Sequence, residues 1–134
     1  MIMNKFQKRI TKLSKNWQTA LVIGNAFGHL EDLLGIFDTV FVIADHPPAI
    51  KARNLVYREM FDQFEQLSDI HFMFYDRNTI EMFRSSMGIW NRNKPVVIIE
   101  GHDVIGRDLS GHLYTNSYNA VHQEEEYHVW KMKQ

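Results

Sequence analysis

A three-layer α/β domain, with a mostly parallel sheet of about five strands and helices on both faces, is the fold class this sequence predicts. Three observations predict it. Short continuous apolar runs recur along the chain, segments with apolar residues at helical spacing separate them, and polar or titratable residues follow nearly every run. Parallel strands cannot be joined by a tight hairpin, so alternating runs and helical segments demand crossover connections.

The first element is helical. Phe6, Ile10, Leu13 and Trp17 recur at spacings of four, three and four, with Lys5, Lys8, Arg9, Lys12 and Lys15 on the other faces. The apolar stripe is expected to cover one face of the sheet, with the lysines in solvent. Ala20–Gly24 is a continuous apolar run closed by glycine, the form of a strand buried on both faces. Helical spacing returns over His29–Phe37, and Thr39–Ala44 is a second β-branched run.

Pro47 and Pro48 stand where a helix tolerates missing amide protons, so a helix is expected there, with Ile50, Asn54, Tyr57, Phe61 and Phe64 on one face. Ile70–Tyr75 restores a strand. A shorter helix from Thr79 to Met87 leads through the turn-prone Asn91–Pro95 to the most apolar run, Val96–Ile99. Asp108–Tyr114 suits either helix or loop, because Gly111 weakens the helix. Tyr127–Met132 alternates apolar and polar residues and is expected to form a fifth, half-exposed strand at a sheet edge.

The 134 residues are expected to form one domain: a leading amphipathic helix over 1–17, then sheet and crossover helices over 18–134. Two separate cores would leave each half near the lower size limit for unaided folding. A composition of 45% hydrophobic and 23% charged residues suits a globular chain. The net charge of −1 supplies no basic field for nucleic acid or anionic membrane. The absence of cysteine excludes disulfides, thiolate ligands and thiol nucleophiles. Neither a signal peptide nor an apolar segment of spanning length is present, so the expected location is cytoplasmic.

In parallel α/β sheets ligands bind beyond the carboxyl ends of the strands, which singles out the residues following each run. A small-molecule ligand is expected there. Gly24, Asn25 and Gly28 follow the first strand, Asp45 and His46 the second, Asp76 the third, and Glu100, His102 and Asp103 the fourth. Gly24 and Gly28 flank a strand-to-helix turn where the missing β-carbon admits a ligand to the backbone, or they serve only turn and packing. The full G-x-G-x-x-G pattern of a dinucleotide turn is absent. Asp45 stands about 20 residues past Gly24, where an acid can accept from ribose hydroxyls. It suits equally the N-cap of the helix expected at Pro47. Asp76 caps the next helix or accepts from an adenine amino group. His102 and Asp103, with Glu100 and either His46 or His29, have the groups for an acid/base pair or a divalent ion. Glu124–Glu126 is expected to be solvated.

Taken together, Leu21–Leu30, the Val40–Asp45 strand ending in an acid, Asp76, and Ile99–Asp103 resemble the motifs of the class I S-adenosylmethionine-dependent methyltransferases. That resemblance, over about residues 18 to 110, implies a Rossmann-like fold and S-adenosylmethionine as cofactor. It implies that Gly24, Asn25 and Gly28 border the cofactor, Asp45 holds its ribose, Asp76 approaches adenine, and Glu100, His102 or Asp103 faces the transferred methyl. His102 or Asp103 would be the catalytic proton acceptor. The loop has fewer glycines than the family usually carries. About 30 residues follow the fourth motif, so acceptor recognition is expected to draw on a partner subunit or homo-oligomer. A non-catalytic nucleotide-binding module and a structural protein are the alternatives to an enzyme.

Overall fold

The computed structural model describes residues 4–14, 18–59, 69–76, 87–100, 113, 117–123 and 126–132. Helix α1, Lys5–Leu13, begins with a capping box: the Asn4 side chain accepts from the Gln7 amide at 2.8 Å, and the Gln7 side chain accepts from the Asn4 amide at 2.8 Å. Phe6 and Ile10 of its stripe are buried and Leu13 is partly so. Trp17 lies outside the described residues.

Strand β1, Thr19–Ile23, runs parallel between β2, Thr39–Ile43, and β4, Phe72–Tyr75. Between β1 and β2 lie a 3-10 turn, Ala26–Gly28, and helix α2, Leu30–Leu34. Strand β3, Leu55–Arg58, pairs parallel with the outer side of β2, and β5, Val96–Glu100, pairs parallel with β4. Helix α3, Met87–Asn93, precedes β5. Strands β6, Tyr118–Gln123, and β7, Tyr127–Met132, close the far side antiparallel. The order is β3-β2-β1-β4-β5-β7-β6.

Alternate residues of the central strands feed two cores. Leu21, Ile23, Met73, Tyr75 and Ile99 pack with Ile89 and Trp90 of α3, whereas Ala20, Val22, Phe72, Phe74 and Ile98 pack with Phe6 and Ile10 of α1 and Leu30 and Leu33 of α2. Both faces of the sheet are thus covered, as expected of a three-layer α/β unit. On one face Trp90 Nε1 donates to the Tyr75 hydroxyl at 2.7 Å, satisfying a polar group buried among apolar side chains.

Three expectations are corrected. The described residues hold seven strands, not about five. No helix begins at Pro47: residues 47–52 are irregular and Leu55–Arg58 is a strand. Without it, Asp45 has no helix to cap. The open edge of β2 takes up this stretch, with Val40 opposite Leu55 and Ile43 opposite Arg58, and that pairing overrides the local helical period. Asn54 fixes the register, its side-chain amide donating to the Leu34 and Phe37 carbonyls at 2.8 and 3.0 Å. Finally, Tyr127–Met132 is an interior strand between β5 and β6, buried through Trp130, and β6 forms the edge. Of its polar residues His128 is buried within the sheet and only Lys131 emerges, near one end, so there is no solvated face.

Phe61, Phe64, Thr79 and most of Asp108–Tyr114 lie outside the described residues, although Leu113 is buried. No helix among the described residues is long and apolar enough to cross a membrane.

Candidate functional site

The chain builds β1, β2 and β3 in one direction, then crosses to lay β4 on the other side of β1. The strand order therefore reverses at β1 and β4, and a cleft of about 400 Å³ opens beyond the carboxyl ends of β1, β2 and β4. Its wall begins at Gly24, whose φ of 104° lies in the left-handed region that glycine enters without a Cβ clash. There the chain turns off the strand while the Gly24 amide still donates to Ile43 O at 2.8 Å, extending the β1–β2 ladder by one bond.

Asn25 follows, and its backbone amide donates to Asp76 Oδ2 at 2.7 Å. Asp76 is 7% exposed at the end of β4, so a buried carboxylate grips the first peptide of the loop. The Asn25 side chain in turn accepts from the Gly28 amide at 3.3 Å, closing the 3-10 turn. Gly28 has φ 87°, and a β-carbon there would meet no atom within 4 Å, so conformation, not space, selects glycine. It is exposed and does not line the cleft.

The opposite wall comes from β2 and β3. Ala44, Asp45, His46 and Pro48 line it, with Glu59 reaching the cleft from the end of β3. Tyr57 braces this wall by donating its hydroxyl to Ala44 O at 3.0 Å. Its phenol is held above the usual tyrosine range, first by desolvation and then by the negative charges of Glu59 and Asp45. Asp45, Glu59 and Asp76 thus bring three carboxylates to one cleft, and among the described residues its lining contains no lysine or arginine. Such a lining accepts hydrogen bonds from hydroxyl and amino groups, favours a cation and disfavours phosphate.

Of the residues the sequence singled out, Gly24, Asn25, Asp45, His46 and Asp76 meet at this cleft. Glu100 ends β5 opposite Tyr127 and is not part of the lining. His102 and Asp103 lie outside the described residues. His29 turns away from Asp45, to Asp32 and Glu126. Among the described residues no group of three or more His, Asp or Glu has the arrangement of a metal site. Glu59 was missed because Leu55–Arg58 was read as helix. Its signal was the short run Leu55, Val56, Tyr57, bounded by Asn54 and with an acid one residue beyond Arg58, a form similar to the run before Asp45.

No family model matches the chain, and no curated protein matches it in sequence. Solved structures do match in fold. A methyltransferase from Geobacter sulfurreducens superposes with a TM-score of 0.69 at 13% identity, over 99% of this chain and 82% of that one. N-methyltransferase NodS from Bradyrhizobium japonicum WM9, in complex with S-adenosyl-L-homocysteine, gives 0.60 at 12%, over 96% and 85%. TrmK of M. capricolum, in complex with the cofactor product S-adenosyl-homocysteine, gives 0.58 at 10%, over 97% and 67%. The chain has the Rossmann-like fold of the class I S-adenosylmethionine-dependent methyltransferases.

Proposed function

We propose that this chain binds S-adenosylmethionine in the strand-end cleft and transfers its methyl group to an acceptor. The observation that carries the reading is the cleft at the β1/β4 switch point, with a left-handed glycine on one side and acids from β2 and β3 on the other. Its volume of about 400 Å³ lies within the range of small-molecule sites. Its carboxylates suit a ligand that brings ribose hydroxyls, amino groups and a sulfonium charge, and they oppose the pyrophosphate of a dinucleotide. The solved neighbours that hold S-adenosylhomocysteine support the choice of cofactor.

In this reading Asp45 accepts from the ribose hydroxyls, and Gly24 and Asn25 border the cofactor. Asp76 keeps the Gly24–Gly28 loop in shape through the Asn25 amide, a positioning role beside the adenine contact expected from sequence, since it also lines the cleft. When bound, the cofactor supplies an electrophilic methyl on sulfur. The protein orients the acceptor and, for a protonated acceptor, removes its proton. That task falls to His102 or Asp103, which follow β5 in the sequence. The acceptor site draws on a partner subunit or second copy, and the cysteine-free chain works in the cytoplasm.

Thermal unfolding with and without S-adenosylhomocysteine, against an NAD control, tests the reading. A ligand at about 100 times its Kd adds about 2.7 kcal/mol, raising the midpoint by several degrees. A rise confined to S-adenosylhomocysteine supports the reading, and no rise at millimolar ligand overturns it. Binding without turnover in an acceptor screen selects the non-catalytic module.

A further inference from the structure

The loop that borders the cleft is held at both ends. Asp76 holds its start, and its end is His29, whose amide donates to Ala26 O at 2.9 Å and whose carbonyl accepts from Leu33 N at 3.1 Å. The His29 ring ties three further elements together. Its Nδ1 lies 2.7 Å from Asp32 Oδ2 on α2, and its Nε2 lies 2.5 Å from Glu126 Oε1, just before β7. Its face stacks on Phe6 of α1, with ring centroids 3.9 Å apart and planes 16° from parallel. The same Asp32 oxygen accepts from the Asn4 side chain at 3.1 Å, and Phe6 meets Tyr127 edge-on at 5.4 Å. The residue closing the loop therefore joins α1, α2 and β7.

Counting protons shows what this arrangement needs. Two hydrogen bonds between one imidazole and two carboxylates require two protons. Neutral histidine beside two ionised carboxylates supplies one. We propose that His29, Asp32 and Glu126 form a latch that closes by taking up one proton and holds the Gly24–Gly28 loop in its binding shape. His29 is thus a positioning residue for the cleft. Among the described residues, the titratable groups that these contacts bring to the ring are Asp32 from α2, Glu126 from just before β7, and, through Phe6, Tyr127 of β7 with His122 of β6 beyond it. Asp32 is 22% exposed and Glu126 51% exposed, so Glu126 is the arm that leaves when the proton is lost.

The linkage has one sign. The closed state holds a proton that the open state lacks, so closure is complete at lower pH and is lost as pH rises. Glu126→Gln separates the latch from its proton, because a glutamine amide donates to neutral His29 and closes the latch without proton uptake. His29→Phe keeps the stack on Phe6 and removes both polar arms.

The effect on the cleft rests on the cofactor reading, and the latch itself is tested without ligand. Thermal unfolding of the ligand-free protein at about pH 6 and about pH 8.5 spans the range where imidazole ordinarily titrates. The wild-type midpoint should fall by several degrees more than that of Glu126→Gln over this interval, and ring ¹⁵N shifts should show both His29 nitrogens protonated at the lower pH only. S-adenosylhomocysteine affinity by calorimetry should fall about fivefold in the wild type over the same interval and stay level in Glu126→Gln. Equal pH dependence of the midpoints in wild type and Glu126→Gln overturns the latch. A latch seen without ligand and no S-adenosylhomocysteine binding at either pH overturns the cofactor reading and the latch's role at the cleft together. Binding with equal pH dependence in both proteins overturns that role alone.

Discussion

The carboxylate of Asp76 at the end of β4 accepts the backbone amide of Asn25, 51 residues away in sequence, at 2.7 Å. The bond joins the strands on either side of the chain reversal, and through it β4 holds the loop that β1 begins. Asp76→Ala removes the acceptor of a part-buried amide and should cost about 1–2 kcal/mol of stability. Asp76→Asn keeps an acceptor oxygen and should recover most of it. Calorimetry should show S-adenosylhomocysteine affinity following the same order, wild type above Asn above Ala.

Asp45 is exposed and has no helix to cap. Asp45→Ala should therefore lower S-adenosylhomocysteine affinity about tenfold or more while changing stability by less than about 0.5 kcal/mol. Denaturant unfolding checks the second part, and a stability loss near 1 kcal/mol with unchanged affinity would sink the ribose role.

Gly28→Ala tests backbone alone, since the added methyl meets nothing and the cost comes from φ 87°. The expected loss is about 1–2 kcal/mol, and Gly28→Asn should lose less, because asparagine visits left-handed backbone more readily. The midpoints of chemical denaturation give both values.

Tyr118 donates its buried hydroxyl to Pro95 O at 2.6 Å, and desolvation by burial raises its phenol well above the ordinary range. A tyrosine whose folded pKa exceeds its unfolded value contributes stability that is full below about pH 10, where the unfolded phenol ionises. That contribution declines as pH climbs beyond, because the unfolded chain releases a proton the folded one keeps. Tyr118→Phe should flatten this alkaline fall while costing about 1 kcal/mol at neutral pH through the lost bond. Unfolding followed between neutral and strongly alkaline pH measures both.

The parallel core was legible because β1, β2, β4 and β5 are buried on both faces and so appear as unbroken apolar runs. For the same reason their ends bring Gly24, Asn25, Asp45 and Asp76 to one cleft, whose lining does not include Gly28 or Glu100. Strand β3 was illegible locally: Leu55, Val56 and Tyr57 are each half-buried at the sheet's rim, and only the open side of β2 decides their conformation. Glu59 was lost with it. Glu126 is exposed, as expected of the Glu124–Glu126 run, yet it also meets His29, which stands 97 residues earlier. Long-range polar pairs leave no periodic trace, so the pairing of His29 with Glu126 could not be read from the sequence.

Strand β7 is synthesised after β6 yet lies between β6 and β5. A sheet that lacks β7 therefore has a bare β5 flank, with the places of Tyr127, Val129 and Trp130 unfilled in its two apolar layers. Among the described strands, order of synthesis and order in the sheet part company here, with β7 wedged between two strands made before it. Until β7 is in place an unpaired flank and open apolar layers coincide, a combination that favours aggregation. The six residues Tyr127–Met132 end it in one step.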